Sequence, residues 1–440
     1  MEWKELKLRE CLGMNEKNWI HFWSILPSLF LLPASLTYLA FQNSLSKLFW
    51  IFVFGGFATS FQFWITWLND RFLTNKMQTT NKTIKKILFK IHIPNTQEPQ
   101  SLAKMAAIFK SIHALHFTVS EKHKYFEGRG LPFFSFEIHS FEGRLGYFLR
   151  CREPDCSIIL NAFRGIYPEI SLSLCPDPLL HLGDSYAKFT TQNLAMVGSE
   201  FRPKEVDFHP IKTWDKLEIR AKTSIFDPVS ALLSAFLDVP KGSHLVLQFM
   251  LRPNVKTSWN ENGQKYINKV KNTIGLELDS LDQVENSKTS IEKLIIQEVE
   301  QKINQSSIYD IRIRFLAVSS TPNLNNILEI PINFFNQFET FQQSIQICDQ
   351  TKTDKSSKSF PLFDRLYWQF EQSHRVQRLY EAVRYRGWNV GGAAWTITPN
   401  ELASLIHFPI SELSSPSITA HLNDSSQYFP SGNVPNNLPR

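Results

Sequence analysis

From Leu48 to Leu68 the chain reads LFWIFVFGGFATSFQFWITWL, twenty-one residues without an ionisable side chain. Wound as a helix, the run extends about 31 Å, the thickness of a bilayer's hydrocarbon core. The sequence therefore predicts a transmembrane helix. Trp19 to Phe41, WIHFWSILPSLFLLPASLTYLAF, is equally apolar apart from His21 at its edge, and predicts a second. Only Gln42 to Lys47 lies between them, so the expectation is a helical hairpin over residues 19–70 with both outer ends on one side.

Charge selects the side. Lys4, Lys7, Arg9 and Lys17 precede the first run, Arg71, Lys76, Lys82, Lys85, Lys86 and Lys90 follow the second, and the turn carries Lys47 alone. By the positive-inside preference, both termini and the soluble domains are expected on the cytoplasmic face of a bacterial inner membrane. Trp19, Trp23, Trp64 and Trp67 stand at the cytoplasmic ends of the spans and Trp50 near the turn, as interfacial belts require. Gly55 and Gly56 flatten a helix face for close packing. Arg71, Lys76, Lys82, Lys85, Lys86 and Lys90 are expected to hold anionic lipid headgroups, at about 1 kcal/mol each.

The net charge of +6 invites a nucleic-acid reading until it is divided along the chain. Residues 1–90 carry eleven Lys and Arg against five acids; the remaining 350 carry 36 of each sign. The basic excess is thus a topology signal. Five scattered cysteines indicate reduced thiols, and the Cys151/Cys156 spacing has no further ligands in register. No metal or cofactor is expected.

Glu98 to Phe117 has helical periodicity, and Phe133 to Phe141 with Arg144 to Arg152 forms a hairpin pattern around Glu142 and Gly143. A helix over Pro154 to Tyr167 and a strand over Glu169 to Cys175 complete a first α+β unit. The second begins at Asp227 with Pro228 in a first helical turn. It continues through a strand at His244 to Arg252, helices at Trp259 to Asn272 and Ser290 to Ile303, a strand at Tyr309 to Val318 and a helix over Asn323 to Phe341. Thr398 and Glu401 form a capping box. The fold class expected is α+β: the hairpin, two small α+β sheet domains and a helical C-terminal segment. The boundaries are residues 1–18 (cytoplasmic N-terminus), 19–70 (hairpin), 71–97 (basic linker), 98–200 and 201–345 (domains), 346–410 (helical segment) and 411–440 (a Ser, Pro and Asn rich tail).

Phe360 to Trp388 interleaves arginines with aromatics, the composition that stacks on and neutralises single-stranded nucleic acid. Arg375, Arg378, Arg384 and Arg386 are its candidate contacts, set against the alternative that these charges pair along a helix surface. No Walker A cradle, H-E-x-x-H, G-x-S-x-G or Cys-x-x-Cys occurs, and no Gly is followed directly by Lys. No catalytic residue is expected. Asp177 and Asp184 beside His181 can be drawn as an acid–base pair, a coincidence any chain with 12 His and 41 acids offers.

Several segments together resemble the membrane-anchored N-terminal region of bacterial conjugation and type IV secretion motor ATPases. They are FEIHSFEGRLGYFLRCREPDCSIILNAFRGIYPEISL, HPIKTW from His209, DPVSALLSAFLDVPKGSHLVLQFMLRPN from Asp227, YDIRIRFLAV, and NELASLIHFP followed by VPNNLP. In that family the last segments lead into an ATPase domain whose Walker motifs this sequence lacks. The resemblance implies a non-catalytic inner-membrane component of a transfer machine that anchors and positions a separate P-loop ATPase, as a homo-oligomer. Leu402, Leu405, Ile406, His407, Phe408 and Pro409 would be its docking segment. The alternative is a membrane-tethered single-stranded nucleic-acid-binding protein without a motor.

Overall fold

A computed structural model of the protein describes residues 84–93, 101–118, 131–141, 143–183, 186–192, 194–213, 227–239, 242–254, 257–280, 286–320, 324, 326–352, 375–388 and 394–409. The chain divides into two compact units, Met1–Ile84 with Val119–Gly130, and Lys85–Thr118 with Leu131–Arg440. Apart from Ile84, every described residue belongs to the second unit.

The described strands form one nine-stranded antiparallel sheet. They are β1 (Lys86–His92), β2 (Phe134–Phe141), β3 (Arg144–Arg152), β4 (Ser171–Leu174), β5 (Ala195–Pro203), β6 (Ser243–Asn254), β7 (Ile308–Ser319), β8 (Ile345–Lys352) and β9 (Trp395–Ile397). Their order is β4-β1-β3-β2-β6-β7-β5-β8, with β9 paired to the opening residues of β7. The helices are α1 (Ser101–Ile112), α2 (Cys156–Ile166), α3 (Tyr186–Thr191), α4 (Pro228–Leu237), α5 (Thr257–Ser280), α6 (Asn286–Ile303), α7 (Glu329–Asn336), α8 (residues 375–385) and α9 (Pro399–Leu405).

This order contains the same motif twice. The elements β1-α1-β2-β3-α2-β4 make a split βαβ arrangement with strand order 4-1-3-2. The elements β5-α4-β6-β7-α7-β8 repeat it, with the α5–α6 pair inserted between the second and third strands. The units join where β2 meets β6, in register from Phe134↔Leu251 to Phe141↔His244.

That junction corrects the expected fold class. Instead of two small sheet domains divided near residue 200, one sheet and one continuous apolar core run through both motifs. The segment expected to be simply helical adds β8, α8, β9 and α9 to the same body. The expected hairpin and Trp19, Trp23, Trp50, Gly55, Gly56, Trp64 and Trp67 lie outside the described residues. Among the described residues no helix is long and apolar enough to cross a membrane.

Local chemistry explains the elements. Gly143 (φ 76°) and Gly242 (φ 82°) turn the chain into β3 and β6 in a conformation open to residues without a Cβ. Asp227 caps α4 by accepting from Val229 N–H at 3.0 Å, and Pro228 occupies the first turn. Thr398 and Glu401 exchange the two bonds of a capping box at α9, as the sequence predicts.

One face of the sheet is apolar. Phe134, Phe136 and Ile138 of β2, Leu247 and Phe249 of β6, and Ile311, Ile313 and Phe315 of β7 pack there with residues of α1, α2, α4, α7 and α9. A smaller cluster under α5 and α6 includes Trp259, Ile267, Val299 and Ile303. The opposite face is polar in its middle and is covered by α8, whose Val376, Leu379, Tyr380 and Val383 pack on Leu179, Leu182, Val246, Leu316 and Val318.

Candidate functional site

Alternation along β2, FSFEIHSF, puts Phe134, Phe136 and Ile138 on the apolar face and Ser135, Glu137 and His139 on the other. Both faces are covered, so the polar set is buried: Glu137 and His139 are 0% exposed. A buried carboxylate is costly unless paired and hydrogen-bonded, and Glu137 is both. Arg386, just past the end of α8, grips it at two points, Nε to Oε1 at 2.7 Å and Nη2 to Oε2 at 2.8 Å. Ser135 Oγ (2.5 Å) and Gln248 Nε2 (3.1 Å) donate to Oε1.

Arg386 also reaches Asp177, Nη1 to Oδ2 at 2.6 Å and Nη2 to Oδ1 at 3.0 Å, and Arg384 Nη1 meets Asp177 Oδ2 at 3.1 Å. Burial alone would raise both carboxyls, but the Arg386 guanidinium prevails and holds Glu137 well below the usual range and Asp177 below it. The pairs raise Arg386 in turn, against its own burial. Among the described residues only Arg386 combines a side chain with positive φ (52°), the left-handed position that closes many helices and usually falls to Gly. Arg314 of β7, fully buried, secures that helix end by donating to the carbonyls of Ala382 and Gly387, both at 2.9 Å, and pairs with Glu200 at 2.9 Å.

From Glu137 a row of three imidazoles leads outward. His139 Nε2 lies 2.9 Å from Glu137 Oε2, and His139 Nδ1 lies 3.1 Å from His244 Nε2. His244 Nδ1 lies 3.2 Å from His181 Nε2, and His181 Nδ1 donates to the Pro178 carbonyl at 2.7 Å. Both ends of this row, a carboxylate and a carbonyl, only accept. A neutral imidazole donates from one nitrogen and accepts at the other, so the tautomers along the row are coupled to one another. Burial and the neighbouring His139, His181 and Arg386 depress His244 well below the ordinary histidine range, and burial lowers His181 as well. His181 is exposed, so the row connects a fully buried ion pair to the surface.

The sequence-predicted sites are distributed differently. Arg384 (7% exposed) and Arg386 (1%) point inward to carboxylates, Arg375 is half-buried and Arg378 exposed, so the four do not form a nucleic-acid face. The docking segment is corrected too. Leu402, Leu405, Ile406, His407 and Phe408 are core residues and Pro409 is half-buried. His407 Nε2 pairs with Asp227 at 2.8 Å, and its Nδ1 donates to the Ala403 carbonyl at 3.0 Å. Of the lipid-headgroup lysines, Lys85 pairs with Glu153 at the surface, Lys86 is half-buried on β1 and Lys90 is buried on β1. Arg71, Lys76 and Lys82 lie outside the described residues, as does Asp184. Glu137, His139, His244 and Gln248 went unread as site residues. Their signal is ionisable or amide groups at alternate positions of strands otherwise too apolar to face water.

Fold and site together define a tandem split-βαβ protein with a charged, histidine-bearing network sealed beneath a helix. The family described as a domain of unknown function (DUF8128) matches residues 73–421, and the chain belongs to it. No curated protein matches the chain.

Proposed function

We propose that the chain is a non-catalytic component of a conjugation or type IV secretion-like transfer machine, positioning a motor ATPase carried on a separate polypeptide. The observation that supports this reading is where the resembling segments fall. Residues 136–172 run from β2 to β4, Asp227 to Asn254 covers α4 and β6, Tyr309 to Val318 lies in β7, and Asn400 to Pro409 holds α9. The resemblance thus follows the elements of one body in chain order instead of scattering over unrelated apolar runs. In this body Glu137, Asp177, Arg384 and Arg386 of the polar face are engaged with one another, which suits a positioning part better than a reacting one.

The test is affinity purification of the full-length chain from its native cells, with mass spectrometry of whatever accompanies it. Stoichiometric recovery of a P-loop ATPase is expected. Recovery of the chain alone, or with nucleic acid only, would sink the reading. The nucleic-acid alternative is weakened by geometry, since Arg384 and Arg386 direct their donors to Asp177 and Glu137.

A further inference from the structure

Beside the buried network the polar face opens into a shallow cleft. Among the described residues, Lys86 of β1, Arg150 and Arg152 of β3, Ser135 of β2 and Arg386 line it, and no acidic side chain does. Strand register brings these groups together. Lys86 pairs with Arg152 and Arg150 with Ser135, and paired residues of an antiparallel sheet share a face.

Among the described residues the charges there do not balance. Arg152 is matched by Asp155, at 2.6 and 3.2 Å, and Arg386 and Arg384 by Glu137 and Asp177. Among the described residues neither Lys86 nor Arg150 has a carboxylate within ion-pair distance. Arg150 Nη1 donates to the Tyr385 carbonyl at 3.2 Å, one use of a guanidinium with five donors. Among the described residues, two cations without a carboxylate partner therefore stand beside the network. Crowding of like charge is felt at both. Burial and then Arg386 bring Arg150 down to about 10, and burial and then Arg150 lower Lys86.

We infer that this cleft is a binding site for a tetrahedral phosphate group, with Lys86 and Arg150 as its charge-bearing contacts and Arg152 and Arg386 as pre-positioned walls. A phosphate dianion supplies the two missing negative charges, and a guanidinium fork suits its paired oxygens. The cleft is shallow, so the phosphate meets these cations at its mouth and any larger remainder of the ligand stays outside. Free inorganic phosphate and a phosphomonoester meet the same chemistry. The inference does not depend on the transfer-machine reading.

Isothermal titration of the full-length chain at low salt, in a buffer free of phosphate, tests it with inorganic phosphate, a nucleoside monophosphate and acetate. Saturable binding of a phosphate is expected, weakened by roughly tenfold or more in Arg150→Gln and in Lys86→Gln, and unchanged in Arg378→Gln on the exposed side of α8. Thermal melts run beside each titration. Should Arg150→Gln fail to fold, half-buried Lys86→Gln decides the question alone. Tighter binding of the ester assigns the site to a phosphomonoester, and equal binding assigns it to free phosphate. Absence of saturable binding by either, acetate binding as well as phosphate, or full affinity in the folded glutamine variants would overturn the inference.

Discussion

Arg386 and Glu137, 249 residues apart in the chain, form a two-point ion pair between the end of α8 and the middle of β2. Neither partner reaches water, so its strength lies in having every charge answered. Removing one side leaves a buried charge without its counterion. Glu137→Gln preserves shape while taking a carboxylate counterion from Arg386 and the anionic acceptor from His139. A loss of about 3–5 kcal/mol in urea denaturation is expected. A loss below about 1 kcal/mol would show that Asp177 alone satisfies Arg386.

The same network makes stability depend on acid in two stages. His181 and His244 are depressed in the folded protein, so the unfolded chain takes up protons near pH 6.5 that the native state refuses. Stability is therefore complete above about pH 6.5 and declines as pH falls through that region. Glu137 and Asp177 are also depressed, and their contribution, full above about pH 4, is lost as pH falls through their folded values. Melting temperatures from pH 8 to pH 3 should show both limbs, with the upper one shallower in His244→Leu. A flat profile between pH 7 and pH 5 would contradict the row's arrangement.

Lys90 produces the opposite limb. Burial in β1 lowers its ammonium to about 8 from 10.5, so the native state releases its proton before the unfolded chain does. Stability attributable to this residue rises as pH climbs from about 8 to about 10.5, because the cost of enclosing the charge disappears. Lys90→Met should remove that slope while leaving the acid limbs unchanged, read from denaturation midpoints at pH 7.5 and pH 10.

How much of this was legible in the chain depends on how local the causes are. Asp227 with Pro228, and Thr398 with Glu401, signal helix starts within four residues and are found where expected. Strong alternation marks β7, although Arg314, which alternation alone would turn to solvent, lies under α8. β1, KILFKIH, alternates as well, but its lysines read as a basic linker because nothing local shows that Lys90 faces a covered surface. β5 was hidden by Gly198 and Pro203, which depress strand propensity, and is held by its neighbours β7 and β8. The site was least legible. Its carboxylates, imidazoles and guanidiniums come from positions 137–139, 177–181, 244 and 384–386, which only the sheet order brings together.

Gly198 permits the helix to cover the sheet. A Cβ built there stands 2.4 Å from the Phe315 carbonyl oxygen and 2.7 Å from Leu379 Cδ2. The backbone of β7 cannot retreat as a flexible side-chain tip would. Gly198→Ala should therefore destabilise by about 1–3 kcal/mol, the usual effect of overpacking. Because α8 presses on this point and carries Arg384 and Arg386 at its end, the variant should also weaken the acid dependence described for the histidine row. An unchanged melt would mean that α8 does not lie against β5 at Leu379.

Leu402 and Phe408 separate a docking role from a structural one. Both are buried, and Phe408 meets Phe136, Tyr147 and Tyr167 with ring centroids 6.1, 5.4 and 5.8 Å away. α9 packs against α1, so shortening these side chains opens a cavity between the helices and the sheet. Leu402→Ala should cost about 2–5 kcal/mol and Phe408→Ala about 3–5 kcal/mol, measured by chemical denaturation. Exposed docking residues would change stability by only about 0.5 kcal/mol. Losses that small would return the segment to the surface. Losses in the larger range mean that any failure of partner recruitment after deletion of residues 396–440 reports collapse of the core at β9 and α9, so recruitment must be tested with variants whose melts match the intact chain.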